Sequence, residues 1–107
     1  MADPVQQKIR DIVEKNKVVI FMKGAPEAPQ CGFSAQSVRC LQEAGAKNIV
    51  AVDVLADPAV RDGVKAYTQW PTIPQIFMNG EFIGGCDIVT EMFERGELKT
   101  AVEATQK

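Results

Sequence analysis

Cys31 stands just past Pro26 and Pro29, is followed by Gly32, Phe33 and Ser34, and opens a stretch of helical character. A thiol in such a place could be a nucleophile, a metal ligand or core filling, since a free cysteine often behaves as a small buried hydrophobe. The three cysteines, Cys31, Cys40 and Cys86, contain no CxxC pair, and histidine is absent. Neither a disulfide scaffold nor a Cys/His zinc cage can be drawn from that set, and a reducing intracellular compartment fits it best. Two of the cations that could receive an anion, Arg61 and Lys65, are four residues apart on the polar face of one helical stretch, where like charges repel unless an anion answers them. A solvated helix face, with Asp57 and Asp62 nearby, is the competing reading. Pro71 and Pro74 exclude a helix and restrain Thr72 and Ile73 in a rigid, extended edge. Gly84-Gly85 lets a backbone approach closely, and the N–H groups that open the next helix, at Cys86 and Asp87, suit a carboxylate. A plain turn with Asp87 as a helix cap accounts equally well for that local stretch.

These residues need elements to hold them. Asp3-Pro4, with Gln6 three residues after Asp3, reads as a helix start, and Val5, Ile9, Ile12 and Val13 mark its apolar face. Val18 to Met22 is a buried strand, closed by the Pro-containing loop at residues 26–29. A helix is expected from about Cys31 to Ala44, ending at Gly45, then a strand in the run NIVAVDVL, then a helix opened by Asp57-Pro58 with Val60, Val64 and Tyr67 on one face. Asn79-Gly80 sits between two short apolar runs and is a strong hairpin signal; a last helical stretch begins near Cys86-Asp87. Parallel strands joined through helices, followed by an antiparallel hairpin and a helix, predict an α/β protein: a mixed four-stranded sheet with helices on both faces, in the thioredoxin-like arrangement. In such a sheet ligands gather beyond the carboxyl ends of the parallel strands, where Cys31 falls, and a helix N-terminus there lowers its pKa. Cys40, nine residues on, is turned about 180° around the helix and displaced by about 13 Å, with no cation beside it, and is expected to be packed.

The 107 residues are 46% hydrophobic and 24% charged with a net charge of −2, so one domain over residues 1–107 is expected, with no footprint for nucleic acid or an anionic membrane. The longest apolar run is far below membrane-spanning length, and the amino terminus resembles neither a signal peptide nor a transit segment. A soluble protein is expected, in mitochondrion, chloroplast or bacterial cytoplasm, with any targeting segment outside this chain.

Lys23-Gly24 ahead of Pro26, Cys31-Gly32-Phe33-Ser34, Trp70-Pro71-Thr72-Ile73-Pro74 and Gly84-Gly85-Cys86-Asp87 occur together in this order. Over nearly its whole length the chain resembles the CGFS-type monothiol glutaredoxins. The resemblance implies a glutaredoxin fold and a glutathione site made of Lys23, Cys31, Phe33, Arg61, Lys65, Thr72, Ile73, Pro74, Gly85, Cys86 and Asp87. Within it, Lys23 and Arg61 meet the glycyl carboxylate, the backbone before a cis Pro74 pairs with the cysteinyl part, and the helix start at Cys86 and Asp87 holds the γ-glutamyl end. Ser34 has no sulfur to resolve a mixed disulfide. The resemblance therefore implies a [2Fe–2S] cluster held by two Cys31 thiolates and two glutathione thiols in a homodimer, with a monomeric apo form and iron–sulfur acceptor proteins as partners. The alternative is glutathione-dependent thiol–disulfide exchange at Cys31, with Cys86 as a resolving or glutathionylated thiol.

Overall fold

The structure, a computed structural model, describes residues 3–106. Helix α1 (Pro4–Lys15) is capped by Asp3, whose carboxylate accepts the Val5 N–H at 2.8 Å, and Pro4 takes a first-turn position where a missing N–H costs nothing. Gln6 does not close that cap: its side-chain amide donates to the Gly63 carbonyl at 2.8 Å and so ties α1 to a later helix.

Strand β1 (Val18–Met22) is buried along its whole length. A loop carrying two two-residue strands, β2 (Gly24–Ala25) and β3 (Ala28–Pro29), leads to α2 (Gly32–Glu43). Then come β4 (Ile49–Asp53), α3 (Pro58–Thr68), β5 (Gln75–Met78), β6 (Glu81–Gly84), α4 (Cys86–Glu94) and α5 (Glu97–Thr105). The main sheet has the order β4-β1-β5-β6, with β1 parallel to β4 and antiparallel to β5, and β5 antiparallel to β6. It is the mixed four-stranded, thioredoxin-like sheet that the sequence pattern predicts.

The continuous apolar run of β1 has a simple cause: both faces of the central strand are covered. Val18, Ile20 and Met22 pack into a core with residues of α2, α4 and α5, while Val19 and Phe21 join Ile9 and Val13 of α1 and Val60 and Val64 of α3 on the other face. Asn79 and Gly80 have φ of 51° and 82°, the pair of positive values that a tight type I′ hairpin turn requires.

Two features differ from the sequence-based expectation. The β2–β3 pairing is a small hairpin inside what reads as a plain proline-broken loop. The last helical stretch is two helices, because Gly96 turns the chain at φ 76° between α4 and α5. No helix among the described residues is long and apolar enough to cross a membrane.

Candidate functional site

Cys31 is the residue that caps α2, held in an extended conformation with partial exposure at the carboxyl end of β1. Its position is set by long-range bonds. The Lys23 N–H donates to the Ser34 hydroxyl at 3.1 Å, the Gln30 N–H donates to the Lys23 carbonyl at 2.8 Å, and the Gly24 N–H donates to Asp53 at 3.0 Å. Gly24, at φ 88°, leaves no room for a side chain, since a Cβ there would lie 2.6 Å from the Ala28 carbonyl oxygen. Gly24→Ala is therefore expected to displace the loop that carries Cys31 and to destabilise the fold by roughly 1–3 kcal/mol, the usual range for forced backbone strain. An unchanged urea midpoint for this variant would show that the loop is not braced in this way.

The Cys31 thiol lies below the ordinary range. The Ser34 backbone N–H contributes most, burial opposes it, and the Phe33 N–H, the Ser34 hydroxyl and the Lys23 ammonium add to the lowering. These are the free groups of a helix N-terminus turned toward a sulfur, and they favour the thiolate over the thiol. Cys40 differs: it is buried, and burial pushes its thiol up. Iodoacetamide should therefore modify Cys31 with a pH midpoint below that of the same cysteine in urea-unfolded protein. Reactivity is retained as pH falls toward the lowered value and lost beneath it, while Cys40 stays unmodified in the native chain. A native midpoint equal to or above the unfolded one would remove the stabilised thiolate.

A groove of about 430 Å³ runs away from Cys31. Lys23, Cys31 and Phe33 form one wall, Trp70, Thr72, Ile73 and Pro74 another, and Gly85, Cys86, Asp87 and Ile88 the third. Nine of the eleven residues expected at the site thus converge; Arg61 and Lys65 are not among those lining the groove. Arg61 Nε lies instead 3.4 Å from Asp62 on the exposed side of α3. The Ile73–Pro74 bond is cis. Gly84 and Gly85 let α4 approach: a Cβ on Gly84 would stand 2.6 Å from the Ile88 Cβ, and one on Gly85 would stand 3.2 Å from the Pro74 carbonyl oxygen. No side chain caps the first N–H groups of α4, and Gly85, Cys86 and Asp87 at this helix start line the groove.

Sequence reasoning missed what holds the Thr72–Pro74 edge. Gln75 is fully buried, donates to the carbonyls of Trp70 at 3.0 Å and Thr72 at 3.1 Å, and accepts from the Thr68 hydroxyl at 2.8 Å. No local signal marks it, because a glutamine beside a short apolar run reads as a surface residue. Ser34 is likewise buried and acts as an acceptor for the loop. Gln75→Leu should lower stability by roughly 1–3 kcal/mol, the cost of unmaking such buried bonds, read as a shift in urea midpoint at constant slope. A neutral result would mean that the edge is held by its prolines alone.

A thioredoxin-like sheet presenting one stabilised thiolate at a helix start, beside a proline-shaped edge, defines a class of thiol-based redox protein. Comparison with known proteins makes this specific. The glutaredoxin family profile matches residues 18–83. The chain is 49% identical to glutaredoxin-related protein 5, mitochondrial, of Danio rerio over 95% of its length and 64% of that protein's. It is 44% identical to monothiol glutaredoxin-5, mitochondrial, of Saccharomyces cerevisiae over 99% of its length and 72% of that protein's. The fold superimposes with a TM-score of 0.84 on a monomeric truncated mutant of Trypanosoma brucei 1-C-Grx1, at 43% identity over 98% of this chain and 94% of that one. It also matches a buckwheat glutaredoxin–glutathione complex, with a TM-score of 0.83 at 25% identity over 95% and 90% of the two chains. The chain belongs to the glutaredoxin family, among its CGFS-type monothiol members.

Proposed function

We propose that this chain, as a single glutaredoxin domain, binds glutathione in the groove and carries a [2Fe–2S] cluster as cargo between two copies of itself, for delivery to iron–sulfur acceptor proteins. The observation that carries this reading is the isolation of the Cys31 thiolate: three residues on, Ser34 faces inward, so the first turn of α2 offers one sulfur. Among the described residues no group of three or more His, Cys, Asp or Glu side chains is gathered for a metal. Four thiolates for a cluster then require two chains and two thiols from elsewhere.

Glutathione suits the groove chemically. It brings a thiol, two carboxylates and an amine, and the groove offers the Lys23 ammonium, the backbone at Thr72 and Ile73, the N–H groups opening α4 and the Asp87 carboxylate. The glutathione seen with the buckwheat protein supports this choice of ligand. The mitochondrial relatives favour an organelle of that kind for this chain.

Thiol–disulfide exchange with glutathione is the second reading, favoured by the lowered Cys31 thiol and by Cys86 across the groove. Anaerobic reconstitution with ferrous iron, sulfide and glutathione separates the two. A brown protein with visible sulfur-to-iron absorption, formed only with glutathione present, is expected. A colourless product that still removes glutathione from protein mixed disulfides would replace the first reading by the second.

A further inference from the structure

Along the edge from Trp70 to Pro74, Pro71 and Pro74 restrict their own backbone and that of the residues before them, Trp70 and Ile73. Thr72 alone is neither a proline nor followed by one. Its ψ, with the φ of Ile73, sets the plane of the Thr72–Ile73 peptide, and the prolines leave that plane open. The grip on it comes from behind. Gln75, fully buried, donates through Nε2 to the Trp70 carbonyl at 3.0 Å and the Thr72 carbonyl at 3.1 Å, which uses both of its amide protons. The Thr68 hydroxyl lies 2.8 Å from Gln75 Oε1 and 3.1 Å from the Val64 carbonyl, with one proton for the two. Gln75 Oε1 has no other donor among the described residues, so the shorter contact takes the proton. Thr68 Oγ1 in turn accepts the Trp70 N–H at 3.1 Å. Turning the Gln75 amide over would set its oxygen against two carbonyls, so these contacts also fix its orientation.

The Thr72–Ile73 peptide is trans, and in a trans peptide the N–H points opposite to the C=O. With the Thr72 carbonyl drawn inward to Gln75, the Ile73 N–H is turned away from the core. That N–H makes no hydrogen bond among the described residues, and Ile73 lines the groove. We propose that Gln75, held by Thr68, is a positioning residue for the groove, aiming the Ile73 N–H as a fixed donor at a backbone carbonyl of the bound tripeptide thiol. A donor set before the ligand arrives spares the ordering that a loose one requires on binding. The inference rests on the glutathione reading for the identity of the ligand and not for the direction of the donor.

Two measurements on isotope-labelled apo protein separate these. The residual dipolar coupling of the Ile73 N–H reports its direction without any ligand, and a chemical-shift titration reports glutathione affinity. Wild type, Gln75→Leu, Thr68→Val and Val102→Ala are compared; the last removes packing from the core on the other face of the sheet and lowers stability without touching the edge. The coupling is expected to match the outward direction in wild type and Val102→Ala and to depart from it in Gln75→Leu and Thr68→Val. Glutathione affinity is expected to fall roughly three- to tenfold in those two variants only, the worth of one neutral hydrogen bond. Thr68→Val keeps the Gln75 amide and gives the answer if Gln75→Leu does not fold. Unchanged coupling and affinity in Thr68→Val would overturn the positioning role. An equal loss of affinity in Val102→Ala would overturn it too, by tracing the effect to stability. A wild type that takes up no glutathione, with the coupling still altered in Thr68→Val, would overturn the choice of ligand and uphold Gln75 as the residue that aims the donor.

Discussion

Cys31→Ser should lose the cluster completely, with no visible absorption after anaerobic reconstitution, whereas Cys40→Ser should reconstitute to nearly the wild-type yield. The two positions share one helix but not one environment. Cys31 is partly exposed at the helix start, where backbone N–H groups favour its thiolate, the form that binds iron. Cys40 is sealed in the core by α4 and α5, with its thiol pushed up by burial. Serine at residue 31 keeps the size of the side chain and removes the sulfur, so the fold should be unaffected, as circular dichroism and the urea midpoint will show. Equal loss of colour in both variants would overturn the assignment of Cys31 as the metal-binding thiol.

Cluster loading should convert a monomeric apo protein into a dimer, and only with glutathione present. Each chain offers one suitable thiolate, so the remaining ligands are thiols retained through the rest of the tripeptide. Lys23 is the cation on the groove wall, and Lys23→Gln should weaken glutathione retention by roughly tenfold or more, since a charge-assisted contact is worth about 1.5–3 kcal/mol. Arg61→Gln should do less, because that side chain points along α3 toward Asp62 rather than lining the groove. Sizing chromatography with absorbance detection, with and without glutathione, measures both effects. A stable coloured monomer, or a coloured dimer free of glutathione, would sink the bridged arrangement.

Much of the scaffold is written locally. Asp3 and Asp57 cap the helices they precede, Asn79-Gly80 makes the hairpin, and the unbroken apolar run of β1 marks a strand covered on both faces. Each of these depends on the conformational preference or burial of a few consecutive residues, and such preferences are visible in a string of letters. The motif that marks the family is equally local, as is the placement of a cysteine at a helix start.

What the tertiary structure decided lies in contacts between residues distant in sequence. Gln75 reads as polar and exposed, yet it turns inward because the carbonyls of Trp70 and Thr72 and the Thr68 hydroxyl need a partner there. The Gly24 N–H finds Asp53 only because β1 and β4 pair in parallel, and that pairing brings the Cys31 loop to its place. Val60 and Val64 turn one face of α3 into the core beside Ile9 and Val13 of α1, an orientation that the charge and spacing of Arg61 and Lys65 do not reveal. Nor does sequence separation reveal that Cys40 shares a core with Val89, since only the packing of α2 on α4 brings them together. Local preference selects the elements; the burial of their apolar faces fixes how each is rotated, and that rotation decides which side chains meet.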